Sequence, residues 1–196
     1  MRANPFVILV SNGDGGPFAS HVPVVIREAG EGLVLRGHVA KANPHWKYLE
    51  QQPLCLTIFH GPHAYISPTN YETRENVPTW NYGAVHAYGN ARIYSGQEEL
   101  LGMLGELIPT FEAAYAEQWS SLREEYRTRM LGHIVGFEIS VNRVEAKFKL
   151  SQNRTHLEQQ NVMESLGASP DTAISGTARL MRELGVGSSP KPKDHE

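Results

Sequence analysis

The stretch from Phe59 to Tyr82 carries the side chains best suited to bind a ligand. It places two histidines, three tyrosines, a tryptophan and a phenylalanine among prolines and a glycine. Rings of this kind can stack on a flat ligand, while their NH and OH groups hold its polar edge. Composition alone leaves a second interpretation open with equal weight, in which this is a loop whose rings pack on the wall of a barrel.

A second stretch with chemical potential runs from Gly37 to Pro44. Asn43 is a favoured N-cap and Pro44 a favoured first helical residue, so we expect a helix from Pro44 to about Gln51. The free amides of such a helix, together with Lys41, would suit an anion and especially a phosphate. On spacing alone the simpler interpretation is favoured, an ordinary capped helix beside a solvated lysine.

Composition excludes several other classes of site. The chain has 196 residues, 40% of them hydrophobic, and a net charge of -3 without a basic run, which argues against non-specific nucleic-acid binding. The single cysteine, Cys55, excludes an internal disulfide and indicates a buried thiol. His60 and His63 have metal-ligand spacing, but no carboxylate or cysteine of the sequence completes a recognisable metal motif with them, so no metal site is predicted. Hydrolase, NTPase and Rossmann motifs are absent, and no catalytic residue is predicted.

The pattern of elements predicts a small β-barrel with helical additions. Apolar runs form a meander of short strands, and an alternating strand over Ala84–Tyr94 shows a polar face that includes His86. Ser95–Glu98 has the form of a capping box, and helices are expected within 96–131, with Pro109 ending or kinking the first. The runs of the meander are Phe6–Val10, His21–Ile26 and Leu33–His38, and Leu54–Phe59 is predicted as a buried strand after the first helix.

The C-terminal part is predicted to close the barrel and then turn helical. Ile134–Val141 and Val144–Leu150 alternate cleanly, with Asn142 and Arg143 between them, and this predicts a hairpin or a pair of strands. Val144 and Phe148 are expected to point inward. We therefore predict a barrel domain over 1–154, a helical extension over 155–184 and a disordered tail over 185–196.

No segment is long enough to span a bilayer, and the apolar run near the N-terminus is too short for the core of a signal peptide. We expect a soluble cytoplasmic protein that makes no membrane contact.

Four strings, in order, resemble one known family: GHVAKANPHW, FHGPHAYISP, NVPTWNYGAVHAYG and FKLSQNR. They are similar to the PaiB family of FMN-binding split barrels, and the likeness runs over most of residues 4–154. The resemblance implies a mainly β fold with helices (α+β), namely an FMN-binding split β-barrel with helical additions. It also implies a homodimer with FMN sites at the subunit interface, and a negative transcriptional regulator, which in the namesake acts on sporulation and protease production.

The same resemblance implies which residues hold the cofactor. His38, Lys41 and Asn43 fall on the strand-to-helix stretch that handles phosphate in similar barrels. The other implied cofactor-binding residues are Tyr65, Ile66 and Ser67 on the next strand, Trp80, Asn81, Tyr82 and His86 from the partner subunit, and Lys149, Gln152 and Arg154. Similar proteins usually carry a further segment ahead of Asn4, and we expect its absence to expose one barrel end or weaken the site.

Three functions follow from these observations as hypotheses. The first is a flavin-binding dimer that senses a ligand or a redox state and regulates transcription through DNA or a protein partner. The second is a flavin-dependent oxidoreductase, in which the protein supplies orientation and electrostatics to the flavin. The third is haem handling, since related barrels do this and the chain has nine histidines.

Overall fold

Six strands form a closed barrel in a computed structural model that describes residues 1–30 and 32–188. Their order around the barrel is β1-β2-β3-β6-β5-β4, and β1 pairs antiparallel with both β2 and β4. The predicted fold, mainly β with helices, is confirmed. The strands are β1 (Phe6–Gly13), β2 (Gly16–Ala29), β3 (Gly32–Ala40), β4 (Leu54–Ile66), β5 (Thr79–Tyr94) and β6 (Ile134–Lys149).

Helices connect and follow these strands. They are α1 (His45–Gln51), α2 (Gln97–Phe111), α3 (Tyr115–Ser121), α4 (Glu124–Leu131), α5 (His156–Gly167) and α6 (Thr172–Glu183), with a 3-10 turn at Pro68–Asn70. Among the described residues, no helix is both long and apolar enough to cross a membrane.

The chain divides into two compact units, each with its own hydrophobic core. The first comprises Met1–His60 and Val85–Glu145, and the second comprises Gly61–Ala84 and residues 146–188 of the described chain. The division predicted from the sequence, with a boundary at residue 154, stays a prediction. Of the predicted tail, residues 185–188 form hydrogen-bonded turns, and residues 189–196 lie outside the described part.

Alternating strand residues build the core of the first unit. Leu9, Leu35 and Phe137 are fully or almost fully buried there, and Cys55 is a buried thiol, as predicted. A neighbouring cluster lies beneath the inserted helices, where Leu100 and Met103 of α2 pack with Tyr94. Burying such apolar side chains is the main favourable contribution to folding.

The core of the second unit joins one strand end to the two C-terminal helices. Ile66, Leu150 and Met181 are inaccessible to solvent and pack with Val162. A capping box starts α5: the Thr155 hydroxyl accepts from the backbone N–H of Glu158, whose carboxylate accepts from the N–H of Thr155.

Three local predictions were wrong. Ile134–Lys149 is one continuous strand, since Asn142 and Arg143 do not turn the chain. Val144 and Phe148 are not inward but 45% and 39% exposed. No side chain caps α2, whose N-cap is Gly96. The helix continues through Pro109 to Phe111, so Pro109 does not end it, and a kink there stays a prediction. In each case a local pattern was overridden by the tertiary path of the chain.

The helix predicted over Pro44–Gln51 is confirmed, with its start one residue later at His45. The Asn43 side chain serves this start, because its carbonyl oxygen accepts from the backbone N–H of His45 at 3.0 Å. Its amide donates to the Ser20 hydroxyl at 2.9 Å, and Nδ1 of His45 lies 2.9 Å from the same hydroxyl. The His45 ring is inaccessible to solvent.

This buried histidine makes stability depend on pH. Burial lowers the pKa of His45 to about 4, whereas the unfolded chain has the ordinary value near 6.5. Because the pKa of His45 is lower in the folded state than in the unfolded chain, neutral His45 contributes its full stabilisation of the folded state above pH 6.5. This contribution is lost as the pH falls toward 4. The linkage amounts to about 3 kcal/mol.

We therefore expect the gap in unfolding free energy between the wild type and His45→Gln to shrink by about 3 kcal/mol from pH 7 to pH 4. Urea unfolding at a series of pH values measures this gap. Subtracting the unfolding free energy of the variant from that of the wild type at each pH removes the contribution of the carboxylates, because these titrate in both proteins. A gap that stays constant with pH would contradict the assignment.

Candidate functional site

The loop before α1 offers less to an anion than the sequence predicted. Its backbone amides are used internally: Asn43 N–H donates to Ala40, and His45 N–H donates to the Asn43 side chain. α1 has only seven residues, and the Trp46 indole donates to the carbonyl of Lys41 at 3.1 Å. The Lys41 side chain is exposed and forms no hydrogen bond or ion pair within residues 1–30 and 32–188.

His38 lies among mostly apolar side chains. It lines a cavity of about 260 Å³ together with Pro23 and side chains of α2 and α3, among them Leu107 and Phe111. The polar members of the same lining are Glu112 and Tyr115. Its Nδ1 is buried and has no hydrogen-bond partner in the described chain. Burial lowers the pKa of His38 below its ordinary value, so the ring is neutral near pH 7 and supplies no positive charge to a phosphate.

His86 belongs to the polar face of β5 that the sequence predicted. Its ring lies 6.5 Å from that of Tyr88 in an edge-on arrangement. The guanidinium of Arg143 lies 3.6 Å from the Tyr88 ring centroid, and the Tyr88 hydroxyl donates to Glu145 at 3.2 Å. Arg143 and Glu145 also form an ion pair. This end of β5 and β6 is therefore a polar aromatic surface.

In the second unit, three neighbouring rings lie at the surface. The Trp80 ring lies 6.0 Å from Tyr65, edge-on, and 6.2 Å from His63. Trp80 is 53% exposed and Tyr65 is 51% exposed. We call these three residues the ring cluster. About half of the surface of Trp80 and of Tyr65 is exposed to solvent. The alternative interpretation, a loop whose rings pack on the barrel wall, therefore does not describe this part of the segment.

Other predicted contacts in this segment have structural roles. The Ile66 side chain is fully buried in the core, so only its backbone could meet a ligand. The Ser67 hydroxyl accepts from the N–H of Thr69 and thereby caps the 3-10 turn. Tyr82 is half-buried on β5.

Asn81 is fully buried and holds the turn that follows β6. Its amide group exchanges hydrogen bonds with the Ser151 hydroxyl at 3.0 and 3.2 Å. Ser151 has a φ of +63°, the left-handed region that non-glycine residues rarely adopt. The Gln152 side chain closes the same turn, because it accepts from Leu150 N–H and donates to the Phe148 carbonyl. Asn81 and Gln152 therefore organise this turn.

Next to this turn is a pocket of about 220 Å³ that we call the basic pocket. Lys149 and Arg154 supply its two charged side chains. Lys149 contacts the Thr79 hydroxyl, and Arg154 donates to Asn76 at 2.7 Å. The Arg154 guanidinium also lies 3.8 Å from the Tyr71 ring centroid. The nine lining residues are Tyr71, Val77, Pro78, Thr79, Asn81, Lys149, Ser151, Asn153 and Arg154.

The predicted residues thus fall into separate groups. Within the second unit, Tyr65 and Trp80 meet in the ring cluster, and Lys149 and Arg154 meet in the basic pocket. Within the first unit, His38 lines the cavity beside α2, Lys41 is exposed on the loop before α1, and His86 contacts Tyr88 on β5. Sequence reasoning missed the contribution of Tyr71 and Ser151. Their signals were the aromatic segment and the SQNR turn, but no pattern indicates that the two approach each other.

Comparison with known proteins identifies the family. The family model described as "Putative FMN-binding domain" matches residues 1–143. Protease synthase and sporulation protein PAI 2 from Bacillus subtilis (strain 168) is 36% identical over 185 residues, which cover 93% of this chain and 88% of that protein. The chain belongs to the PaiB family of FMN-binding domains.

Solved structures agree with this fold. The PaiB-family chain is similar to the flavocytochrome Anf3 from Azotobacter vinelandii, with a TM-score of 0.57 and 16% identity, over 76% of this chain and 63% of that one. It is also similar to the FAD and haem binding protein from Mycobacterium smegmatis, with a TM-score of 0.56 and 15% identity, over 76% and 67% of the two chains. The predicted FMN-binding split-barrel fold is confirmed, and at these identities the likeness concerns the fold alone.

The buried amide at position 81 can be tested directly. In Asn81→Leu, the hydroxyl of Ser151, a residue that is only 5% exposed, loses its hydrogen-bond partner. An unsatisfied buried polar group costs about 1–3 kcal/mol, and we expect urea unfolding to show a loss of that size.

Asn153→Ala is the matched control, because Asn153 is an exposed amide on the same turn and should change stability by no more than about 0.5 kcal/mol. If Asn81→Leu were as stable as this control, Asn81 would be available to a ligand rather than committed to the fold.

Proposed function

We propose that this PaiB-family protein binds FMN as a homodimer and acts as a negative transcriptional regulator. The observation that carries the flavin proposal is the ring cluster, in which Trp80 and Tyr65 are each about half exposed and face solvent beside His63. Large rings left at the surface are costly unless they serve an interaction.

The residues present fit the cofactor. FMN is a flat ring system with a polar edge and a phosphate, and the second unit offers exposed rings for stacking and cationic side chains for the phosphate. Bound FMN would supply redox chemistry, or a signal that depends on redox state. The protein's own residues would hold and orient it.

Exposure along β6 supports the homodimer. Every residue from 142 to 149 is exposed, although a barrel strand normally packs one of its faces inside. Val144 and Phe148 are large apolar side chains on one face of this stretch. Packing of this stretch against a second copy of the chain would bury both side chains. It would also agree with the expectation that residues of two subunits form the flavin site.

The regulatory part of the proposal is supported by the relative from Bacillus subtilis, whose name links it to protease synthesis and sporulation. A net charge of -3 gives little support to non-specific DNA binding, so we favour action through a protein partner or a small local contact with DNA. Comparing transcripts in a strain that lacks the gene with those in a complemented strain tests this role. A negative regulator requires a set of transcripts that rises in its absence.

Replacing a ring of the cluster should weaken flavin binding. We expect purified protein incubated with FMN to show flavin absorbance, and Trp80→Ala to bind FMN about 2- to 10-fold more weakly because a stacking surface is lost. Fluorescence titration of FMN measures the affinity. Tyr126→Ala removes an aromatic ring that is 38% exposed on α4 and is not a member of the ring cluster, and it should leave the affinity unchanged.

Protein that stays colourless with excess FMN would contradict the flavin proposal. If haem instead produced a Soret band that is lost in His63→Ala or His86→Ala, haem handling would replace it. Turnover of reduced nicotinamide by the flavin-loaded protein would favour the oxidoreductase.

A charge placed on β6 should disrupt the dimer. Val144 is 45% exposed, so Val144→Lys should fold but bury an unpaired ammonium if the second copy packs there. We expect sedimentation equilibrium to show a dimer for the wild type and at least tenfold weaker association for the variant. Leu184→Lys, at a residue that is 52% exposed and outside both β6 and the basic pocket, serves as the control. A monomeric wild type, or equal weakening in the control, would contradict this interface.

A further inference from the structure

We propose that the basic pocket binds the phosphate group of a phosphomonoester, with the phosphate of FMN as the first candidate. The assignment of this phosphate to FMN rests on the proposed function, in which the protein binds FMN. The charged side chains of the pocket, Lys149 and Arg154, and the turn between them lie beyond residues 1–143, the segment that the family model matches.

The two cations of the pocket are held in place before any ligand arrives. The Arg154 guanidinium lies over the Tyr71 ring, 3.8 Å from its centroid, and donates through Nη1 to Asn76 at 2.7 Å. Its Nε and Nη2 donors have no acceptor in the described chain, and a guanidinium presents such donors in a planar fork that matches phosphate oxygens. Fixing the guanidinium beforehand reduces the entropy lost on binding.

Lys149 adds a second positive charge. Its ammonium has three donors, and its contact with the Thr79 hydroxyl uses one of them. The other two can meet a ligand, since the described residues offer this ammonium no carboxylate. Charge-assisted hydrogen bonds to phosphate are among the strongest that a side chain makes.

The charge balance of the pocket favours an anion. None of the described residues that line it is acidic. The Glu158 carboxylate lies 4.0 Å from the Arg154 guanidinium and accepts from the backbone N–H groups of Glu72 and Thr155. A net positive charge therefore remains even when Glu158 is included. The backbone N–H groups of Gln152 and Asn153 have no acceptor in the described part of the chain and add neutral donors.

The pocket is also a better phosphate site than the loop before α1. There, Lys41 is a single cation, most neighbouring amides are occupied, and His38 is neutral. In the basic pocket two cations converge on one concave surface, which the buried Asn81–Ser151 pair supports from below. Two fixed charges in one cavity bind a dianion more strongly than one mobile charge on a surface.

The test compares FMN with riboflavin, which has the same ring system but no phosphate. Isothermal titration calorimetry should show that Lys149→Ala weakens FMN binding about tenfold or more and leaves riboflavin binding unchanged. Lys147→Ala is the matched control: it removes the same charge from an exposed position of the same strand, outside the pocket, and should bind FMN like the wild type.

Three results would overturn the inference. They are equal wild-type affinity for FMN and riboflavin, equal weakening of both ligands by Lys149→Ala, and a tenfold loss of FMN affinity in Lys41→Ala with none in Lys149→Ala. The last result would place the phosphate on the loop before α1.

A separate titration distinguishes this inference from the proposed function. If the wild type binds neither flavin, the flavin proposal fails, and phosphorus NMR with inorganic phosphate then tests the pocket alone. Saturable phosphate binding that is weakened in Lys149→Ala but not in Lys147→Ala supports the pocket as a phosphomonoester site for another ligand. Absence of saturable binding overturns it.

Discussion

The rest of the structure depends on the closure of one sheet around a narrow interior. β1 pairs with β2 on one side and β4 on the other, so the sheet has no free edge at this point. The interior admits large side chains only where a facing residue has none. A Cβ at Gly37 would lie 2.7 Å from the Phe137 ring, and a Cβ at Gly89 would lie 2.4 Å from the Ser140 carbonyl oxygen. Glycine at these two positions lets Phe137 fill the barrel and lets β5 approach β6.

Closure also determines where the inserted helices attach. Arg36 on β3 donates to Glu138 on β6 at 2.6 Å and to Glu106 on α2 at 2.9 Å. Burial works against the charge of Arg36, but the two carboxylates outweigh it, so the pKa of Arg36 is raised. This partly buried network ties α2 to two adjacent strands, and removing one partner would leave an uncompensated charge. The cavity that contains His38 is bounded by the same helix.

The predicted site residues divide into two groups, side chains that hold the backbone of the site in place and side chains that remain exposed to a ligand. The side chains of Asn43, Asn81 and Gln152 hydrogen-bond to groups of the protein at a helix start or a turn. Trp80 and Lys149 remain exposed on the elements that those contacts hold in place. The amide side chains hold the backbone in place, and the exposed ring and ammonium are the groups that can contact a ligand. This division explains why a short, strained turn at Ser151 can hold two cationic residues beside one pocket.

The sequence by itself determined the family, the α+β barrel and the segments that carry the chemistry, because alternation and turn residues are local properties and the four family strings are contiguous. It also predicted α1 to within one residue. Only the tertiary structure decided that β6 is one continuous strand and that Val144 is exposed. It also decided that burial lowers the pKa of His38. The same holds for the meeting of Tyr71 with Arg154, which are 83 positions apart by their numbers (154 − 71). The physical reason is that burial and charge depend on which distant segments pack together, and a local pattern contains no record of that packing.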